Sequence, residues 1–233
     1  MQLNEVRALV TGVSKGIGKA VVSQLIEGGA QVAGWGRHSL DMPTQRFRFF
    51  PCALSDFESV SSCYQQTLAW MDQAPNVVIN NAGLGYFGML EALSLEQWHE
   101  LIDINVHASF YVLKAALPAM KKEGRGHIFN MSSLAGLDGM AQAGGYCAAK
   151  HAVRGLSSAL TKELRDYGIK VTTVYPGSTQ TDFFDNAPGI DAHEYMMQVD
   201  DVAGQMVQAL QTPDNFLIDH LQFRPLQPRG PRK

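Results

Sequence analysis

The sequence predicts an α/β protein, built as one domain on a doubly wound parallel sheet with helices on both of its faces. Three observations support this class. Short apolar runs alternate with longer segments whose apolar residues recur at helical spacing. A glycine-rich turn joins the first run to the first helical segment. A chain of 233 residues, 45% of them hydrophobic, can bury one sizeable core, and without repeats or linkers we assign residues 1–233 to a single domain.

The N-terminal segment predicts a strand, a helix and a second strand. The apolar run from Val6 to Val10 has the length of a buried strand, and QVAGWG at 31–36 is a second such run. Two glycines, Gly28 and Gly29, are expected to end the helix between them. The apolar positions of that helix are Ile17, Val21, Val22, Leu25 and Ile26.

The same alternation continues to the C-terminus. Two segments, at 55–58 and 94–97, have the pattern of capping boxes, so each should mark a helix start. Asn81, Ser133 and Pro176 each follow a predicted strand, so they should meet at the carboxyl edge of the sheet, where such folds bind ligands. The further strands are predicted at 47–50, 76–80, 127–131, 170–175 and 216–218.

The glycine-rich turn predicts a phosphate site. Gly12, Gly16 and Gly18 let the backbone bend tightly and approach a ligand, and the turn opens a helix whose N-terminal amides favour a pyrophosphate. Their spacing, Gly-x-x-x-Gly-x-Gly, differs from the commoner Gly-x-Gly-x-x-Gly dinucleotide fingerprint. The alternative is that these glycines only form a turn.

Tyr146 and Lys150 are a candidate proton-handling pair. Residues four apart on a helix share a face, so the phenol and the ammonium should point into one space. An ammonium about 5 Å away favours the phenolate by about 3 kcal/mol at an effective dielectric near 20, which would make the tyrosine a better acid or base. Ser133 precedes the tyrosine and could hold a substrate oxygen. Chance supplies roughly 0.3 such pairs in a chain of this composition, so the pair alone is weak.

Together these motifs resemble the short-chain dehydrogenase/reductase family in its compact, Rossmann-like form. TGVSKGIG at 11–18 is similar to the family's cofactor turn, NNAG at 80–83 to its central-strand motif, and PGSTQT at 176–181 to the segment over the nicotinamide. The resemblance implies four catalytic residues, Asn105, Ser133, Tyr146 and Lys150. It also implies cofactor contacts from Gly12, Ser14, Lys15, Gly16, Ile17, Gly18, Arg37, Leu54, Asn81, Ala82, Gly83, Tyr146, Lys150, Pro176, Gly177, Thr179 and Thr181.

The resemblance also implies a mechanism of hydride transfer between a nicotinamide and a carbonyl carbon. In reduction Tyr146 would protonate the developing alkoxide while Ser133 hydrogen-bonds the same oxygen. Lys150 would favour the phenolate and bind the nicotinamide ribose, and Asn105 would connect the lysine to a water chain. The alternative for Asn105 is that it satisfies a buried backbone group.

Charge predicts NADP(H) over NAD(H). The second strand is followed by Arg37, with no acid before Asp41, and Lys15 lies within the glycine turn. A 2′-phosphate needs cationic partners, whereas an acid at the end of that strand would bind a free 2′-hydroxyl. One departure from the family is Ala53, which stands where an aspartate near the adenine is usual, so the backbone near Leu54 is expected to contact the adenine instead, and a contact through Asp56 is left open.

The substrate is less well defined. A flap at 181–200 is expected to cover the site with apolar side chains, and its alternative is simple packing onto the body. These side chains, with three outside the flap, favour a small, moderately apolar carbonyl or alcohol compound. They are Phe183, Phe184, Tyr195, Met196 and Met197, with Leu84, Leu134 and Met140.

Composition limits the partners. The formal net charge of -3 argues against nucleic acid, and we expect no metal site and no membrane span. Three cysteines without a Cys-x-x-Cys motif favour a reducing, cytoplasmic compartment. Helices near 96–120 and 145–167 resemble the family's subunit interface, which implies a homodimer or homotetramer. Two other functions are open: a catalytically silent nucleotide-binding regulator, and a lyase or isomerase, for which the chain has little room.

Overall fold

The computed structural model describes residues 1–181, 183 and 193–228. These residues contain a seven-stranded sheet in the order β3-β2-β1-β4-β5-β6-β7, and every neighbouring pair is parallel. The predicted α/β class and the parallel sheet are confirmed. The strands are β1 (Arg7–Thr11), β2 (Gln31–Gly36), β3 (Phe47–Pro51), β4 (Val77–Asn80), β5 (Gly126–Met131), β6 (Ile169–Pro176) and β7 (His220–Phe223).

Helices cover both faces of the sheet. The described α-helices are α1 (Gly16–Glu27), α2 (Phe57–Met71), α3 (Leu95–Ile102), α4 (Ala108–Glu123), α5 (Gly144–Leu164) and α6 (Val199–Leu210). A π-helical turn, Asp103–His107, joins α3 to α4. Apolar residues of α1 and α6 form one core with the sheet, and those of α2, α4 and α5 form the other.

Strand β1 shows why the apolar runs are continuous rather than alternating. Ala8 and Val10 face the core under α1 and α6, whereas Leu9 faces the core under α2, α4 and α5. All three are fully buried. A strand buried on both faces needs apolar residues at successive positions, as central strands of parallel sheets do.

The strand order reverses beside β1. The chain continues from β1 to β2 on one side, while β4 pairs with β1 on the other side. The connections that leave the carboxyl ends of β1 and β4 therefore run in opposite directions and open a crevice between them. In open parallel sheets ligands bind in such a crevice.

The predicted strand at 216–218 is wrong. The backbone N–H of Phe216 donates to the carbonyl of Pro213 at 2.9 Å, in a turn, and the Phe216 side chain is 54% exposed. Pairing with β6 begins later, where the Asp219 carbonyl accepts from the N–H of Thr173 at 2.8 Å. The true strand, His220–Phe223, lies at the sheet edge with no fully buried position, so its sequence lacks the continuous apolar run that marks the central strands.

The two predicted helix starts differ in outcome. At α3 the capping box is confirmed: the Ser94 hydroxyl accepts from the N–H of Gln97 at 3.2 Å, and the Gln97 side chain accepts from the N–H of Ser94 at 3.0 Å. At α2 the prediction is wrong by one residue, because the cap is Asp56 and not Ser55. Its carboxylate accepts from two N–H groups of the first turn at 3.3 and 3.1 Å. Asp and Ser cap equally well, so the pattern alone did not separate them.

The segment around the predicted flap is only partly described. Phe184 lies outside the described residues, while Phe183 and the stretch from 193 onward lie within them. Met197 pairs with Thr179 in an isolated parallel bridge. Among residues 1–181, 183 and 193–228, no helix combines the length and apolar character that crossing a bilayer requires.

Candidate active site

A cavity of about 730 Å³ opens at the carboxyl ends of the central strands. Of the residues predicted for the site, Gly18 and Asn105 do not line it but lie directly behind its wall. The predicted residues that line it are Gly12, Ser14, Lys15, Gly16, Ile17, Arg37, Leu54, Asn81, Ala82, Gly83, Ser133, Tyr146, Lys150, Pro176, Gly177, Thr179 and Thr181.

The glycine turn needs its glycines for two different reasons. Gly12 and Gly16 have φ of 70° and 59°, a left-handed backbone that favours glycine. Gly18 is helical, and a Cβ on it would lie 2.2 Å from the Gly12 carbonyl oxygen. Gly18 thus lets α1 pack against the turn, and it would support a ligand without touching it. The N-cap residue Lys15 makes no side-chain capping hydrogen bond, and Gly16 and Ile17 of the first helical turn line the cavity, where helix N-terminal amides favour a pyrophosphate.

Asn81 braces this turn. Its amide Nδ2 donates to the carbonyls of Thr11 and Gly12, both at 2.9 Å. The Thr11 hydroxyl in turn accepts from the N–H groups of Asn81 and Ala82, both at 3.0 Å. Both side-chain N–H donors of Asn81 therefore bind carbonyls of the glycine turn. Other atoms of the residue line the cavity.

Lys150 and Asn105 lie on the far side of Gly83. A Cβ built on Gly83 would lie 2.8 Å from Asn105 Oδ1 and 3.3 Å from Lys150 Nζ, so both polar atoms converge on this glycine. Asn105, in the π-helical turn, donates through Nδ2 to the carbonyls of Leu84 and Leu101, both at 2.9 Å. Its Oδ1 is buried and accepts no hydrogen bond from the described residues. An acceptor so placed fits an additional donor, such as an ordered water, beside the lysine.

Burial dominates the electrostatics of the lysine and the tyrosine. Lys150 is 4% exposed, its Nζ donates to the Met131 carbonyl at 2.9 Å, and burial lowers its pKa to about 8. Burial raises the pKa of Tyr146 to about 12, although a hydrogen bond with Ser133 lowers it. The Lys150 Nζ lies 5.6 Å from the centroid of the tyrosine ring. The expectation that the ammonium lowers this pKa is wrong, because the cost of burying a phenolate is larger.

Ser133 occupies the point where β5 ends. Its hydroxyl accepts from the N–H of Ala135 at 3.2 Å and lies 3.5 Å from the Pro176 carbonyl, to which it donates. The hydroxyls of Ser133 and Tyr146 thus face the same part of the cavity. Ser132 has a different role: its hydroxyl donates to the Lys150 carbonyl at 2.9 Å and ties β5 to α5.

The flap prediction is corrected for most of its residues. Phe183 lines the cavity, but Met196 is 5% exposed and Met197 packs against the core under α1 and α6. Tyr195 is 40% exposed and does not line the cavity. Met196 and Met197 follow the alternative of packing onto the body, whereas Tyr195 fits neither interpretation. The cavity wall also contains Leu134 and Met140, as expected, whereas Leu84 packs in the apolar cluster behind it.

Leu54 and its neighbours form the part of the cavity wall that follows β3. Cys52, Ala53, Leu54 and Ser55 line the cavity. Asp56 does not, because both of its carboxylate oxygens cap α2. With an alanine where the family has an aspartate, this wall offers the cavity an apolar side chain and backbone groups.

Sequence reasoning missed one charged wall. Glu96, His99, Glu100 and Asp103 all line the cavity. Their spacing of three, four and seven residues places them on one helix face, a signal that was present in the sequence. The hydrogen bond to Glu100, at 2.5 Å, raises the pKa of the Tyr86 phenol, which the nearby Arg37 partly offsets. Acidic and basic side chains therefore meet at the Arg37 end of the cavity.

An aromatic wall was also missed in part. Phe87 follows β4 and lines the cavity with Phe183 and Tyr146. Nothing in the spacing of Phe87 marks it, because it lies in a loop without periodicity. As for metals, the described residues contain no group of three or more His, Cys, Asp or Glu side chains arranged to hold an ion.

Known proteins are similar to this chain in sequence and in fold. The family model described as short chain dehydrogenase matches residues 6–189. An uncharacterized oxidoreductase of Staphylococcus epidermidis is 30% identical over 231 residues, covering 97% of this chain and 99% of that protein. An alcohol dehydrogenase from the archaeon Thermococcus sibiricus, solved with 5-hydroxy-NADP, is 27% identical with a TM-score of 0.85, covering 97% of this chain and 99% of the other. A metagenomic short-chain oxidoreductase solved with NADP is 29% identical with a TM-score of 0.81 and the same coverage. The chain belongs to the short chain dehydrogenase family of oxidoreductases.

Proposed function

We propose that this oxidoreductase interconverts a carbonyl compound and an alcohol with NADP(H), and that Tyr146 is its general acid and base. The observation that supports this most is the convergence of two hydroxyls, those of Tyr146 and Ser133, on one part of the cavity, with the Lys150 ammonium buried behind them. Two hydroxyls can hold and protonate a single substrate oxygen. The whole chain, 1–233, acts in this proposal as one catalytic domain.

The cavity wall fits a nicotinamide dinucleotide. The glycine turn lines the cavity at the N-terminus of α1 and suits a pyrophosphate there, because Gly12 and Gly16 have a left-handed backbone and Gly18 lets the helix pack closely against the turn. Leu54 would contact the adenine, and the Pro176–Thr181 wall would cover the nicotinamide. The other contacts are the predicted lining residues given above. When bound, this cofactor supplies or accepts the hydride.

The protein's own groups handle the proton. With a pKa raised to about 12, Tyr146 is protonated at neutral pH and is ready to act as an acid toward a carbonyl oxygen. Ser133 would orient that oxygen, and Lys150 would bind the ribose through Nζ. Asn105 Oδ1, buried beside Gly83, would accept from a water that resupplies the proton.

The Tyr146→Phe variant tests the acid. It removes one hydroxyl and keeps the ring, so it should bind NADPH within about threefold of wild type while turnover falls by roughly 10²- to 10⁴-fold. Binding is measured by calorimetry, and turnover by NADPH absorbance with a panel of ketones, aldehydes and quinones. Tyr167→Phe, at a 44% exposed position, is the matched control. Near-normal turnover in Tyr146→Phe would sink the proposal, and NADPH binding with no reaction in wild type would favour a silent regulator.

The preference for NADP(H) rests on charge. Lys15 and Arg37 line the cavity, on the glycine turn and directly after β2, where the adenosine ribose would lie. Arg37→Asp should weaken NADPH binding at least roughly tenfold and NADH binding far less, because only NADPH carries the 2′-phosphate. Arg48→Asp, an exposed change on β3, should leave both affinities unchanged. Equal losses for both cofactors in Arg37→Asp would refute the assignment.

Assembly and location complete the proposal. On α4, Phe110 is 46% exposed, and Tyr167 beyond the end of α5 is 44% exposed, which supports burial of these helices between subunits. We therefore expect a homodimer or homotetramer that works on small molecules in the reducing cytoplasm. Light scattering at micromolar concentration distinguishes these assemblies from a monomer.

A further inference from the structure

Three aromatic rings form a closed group beside the catalytic tyrosine. The ring centroids of Phe87 and Tyr146 are 5.8 Å apart, those of Phe87 and Phe183 are 6.1 Å apart, and those of Tyr146 and Phe183 are 5.5 Å apart. The interplanar angles are 47°, 85° and 52°, so the rings meet in tilted and edge-to-face arrangements. All three line the cavity, and they come from three separate parts of the chain.

A glycine brings two of these rings against the backbone. A Cβ built on Gly85 would lie 2.7 Å from Phe183 Cζ and 2.9 Å from Phe87 Cε2. A side chain at this position would require both rings to shift. Gly85 therefore allows the two rings to pack at their present positions, an observation independent of the distances between the rings.

The surroundings of the rings are apolar. Phe87, Tyr146 and Phe183 belong to a cluster with Leu101 and Ala135. Among the described lining residues, the Lys and Arg side chains are Lys15, Lys150 and Arg37. Lys150 is bound to a backbone carbonyl behind the wall, and the other two lie on the glycine turn and directly after β2. Lys150 Nζ lies 5.6 Å from the centroid of the Tyr146 ring, but it donates to the Met131 carbonyl and is assigned to the cofactor ribose, so it does not serve a carboxylate or phosphate on the substrate.

We propose that the substrate is an uncharged aryl carbonyl compound, whose ring contacts Phe87 and Phe183 while its carbonyl oxygen meets Tyr146 and Ser133. This inference rests on the proposed function and adds the substrate class to it. Offset and edge-to-face contacts between aromatic rings are worth about 0.5–1.5 kcal/mol each beyond area burial, which a saturated ring of similar size does not gain. Phe87 and Phe183 are then the residues that set specificity.

Paired ketones test the aromatic contact. Acetophenone and cyclohexyl methyl ketone differ in the ring, and their kcat/KM ratio in wild type includes their intrinsic reactivities. The contribution of intrinsic reactivity cancels when the ratio in Phe87→Leu or Phe183→Leu is divided by the ratio in wild type. We expect either variant to lower the ratio by about 3- to 10-fold. Phe216→Leu, at an exposed position far along the chain, should leave it unchanged.

A binding experiment separates this inference from the proposed reaction. Ketone bound together with NADP⁺ cannot be reduced, so calorimetry on that mixture measures recognition alone. Acetophenone should bind more tightly than cyclohexyl methyl ketone and much more tightly than 4-acetylbenzoate. Gly85→Ala should weaken acetophenone binding with NADP⁺ affinity unchanged, since the added methyl group displaces the two rings.

The outcomes are distinct. Ring-selective binding without turnover of any ketone would overturn the proposed reaction and leave the aryl site standing. Turnover with the same ketone ratio in wild type, Phe87→Leu and Phe183→Leu would overturn the aryl site and leave the reaction standing. Preferred binding of 4-acetylbenzoate would also overturn it.

Discussion

Buried polar side chains lie at both ends of strand β5, but their surroundings are opposite: one is enclosed by protein and the other adjoins a cavity. At the amino end, the ring of His127 is 2% exposed, stacks on Phe129 with centroids 4.1 Å apart, and shares a hydrogen bond of 2.7 Å with the Thr172 hydroxyl. At the carboxyl end, the Met131 carbonyl accepts from Lys150, and the cavity begins. Both ends bury a titratable side chain, but only the second end directs its chemistry into a cavity.

The difference shows that burial alone does not mark a functional group. Burial lowers the pKa of His127 to about 3, with help from the charges of Lys170 and the N-terminus, and it lowers the pKa of Lys150 to about 8. The shift at the histidine is the larger of the two, yet its neighbours are a strand hydroxyl and an aromatic ring. A perturbed pKa points to function only where the group also meets a cavity and other reactive groups.

The largest expected effect comes from Lys150→Met. Turnover should fall by roughly 10²-fold or more, because the variant loses the group that binds the nicotinamide ribose in the proposed mechanism. Stability should rise by about 1–3 kcal/mol at pH 7, because a buried ammonium whose pKa is lowered to about 8 opposes folding. Lys162→Met, an exposed change on the same helix, should alter neither quantity.

The predicted gain in stability of Lys150→Met can be checked by measuring the free energy of unfolding at different pH values. The folded protein holds the Lys150 proton less tightly than the unfolded chain does, so the wild-type free energy of unfolding should gain a rising component between pH 8 and 10.5. The Lys150→Met variant should lack that component in urea unfolding curves. If the variant is less stable than wild type at pH 7, the lysine is part of the scaffold and the contrast between the two ends fails.

Sequence reasoning reached the catalytic end more easily than its electrostatics. Gly12, Ser133 and Tyr146 are fixed by motifs whose residue types are required locally, so their positions around one cavity follow from spacing and strand order. The pKa of Tyr146 depends on how much protein covers it, and coverage comes from segments far apart in the chain. Phe87 was missed for the same reason, since its place in the wall depends on Phe183 nearly 100 residues later.

The strands also differ in how well the local sequence predicts them. Central strands were predicted to within one residue at each end, because strands buried on both faces leave continuous apolar runs. The edge strand β7 was misplaced, since Phe216 and Leu217 are apolar yet exposed at 54% and 41%. Strand β7, which has no fully buried position, carries a weaker sequence signal than the loop before it.

The next effect, on stability in acid, is expected at the amino end of β5. His127 has a pKa lowered from 6.5 to about 3 in the folded protein, so the folded state binds this proton less tightly than the unfolded chain. The stability that depends on an uncharged His127 is fully present above pH 6.5. It is lost as the pH falls toward 3, by up to about 5 kcal/mol. His127→Gln should therefore lose less stability between pH 6.5 and 4 than wild type does in urea unfolding. Parallel acid limbs for the two proteins would show that the histidine does not drive acid unfolding.

The smallest effect should follow from Thr172→Val. The Thr172 hydroxyl has one proton, and it donates that proton to the Ile218 carbonyl at 2.5 Å, so His127 Nε2 must carry the hydrogen of the bond between them. Valine keeps the shape but removes the partner of both groups, which should lower the free energy of unfolding by about 1–3 kcal/mol at pH 7.

Turnover per folded molecule should not change in Thr172→Val, because the site lies at the other end of the sheet. The two quantities are measured by urea unfolding and by NADPH absorbance at one temperature. A loss of turnover without a loss of stability would mean that the two ends of β5 are coupled through the strand. The separation between a closed, stabilising end and an open, reactive end would then be wrong, and β6, which carries Thr172 and ends at Pro176 beside Ser133, would be the element that connects them.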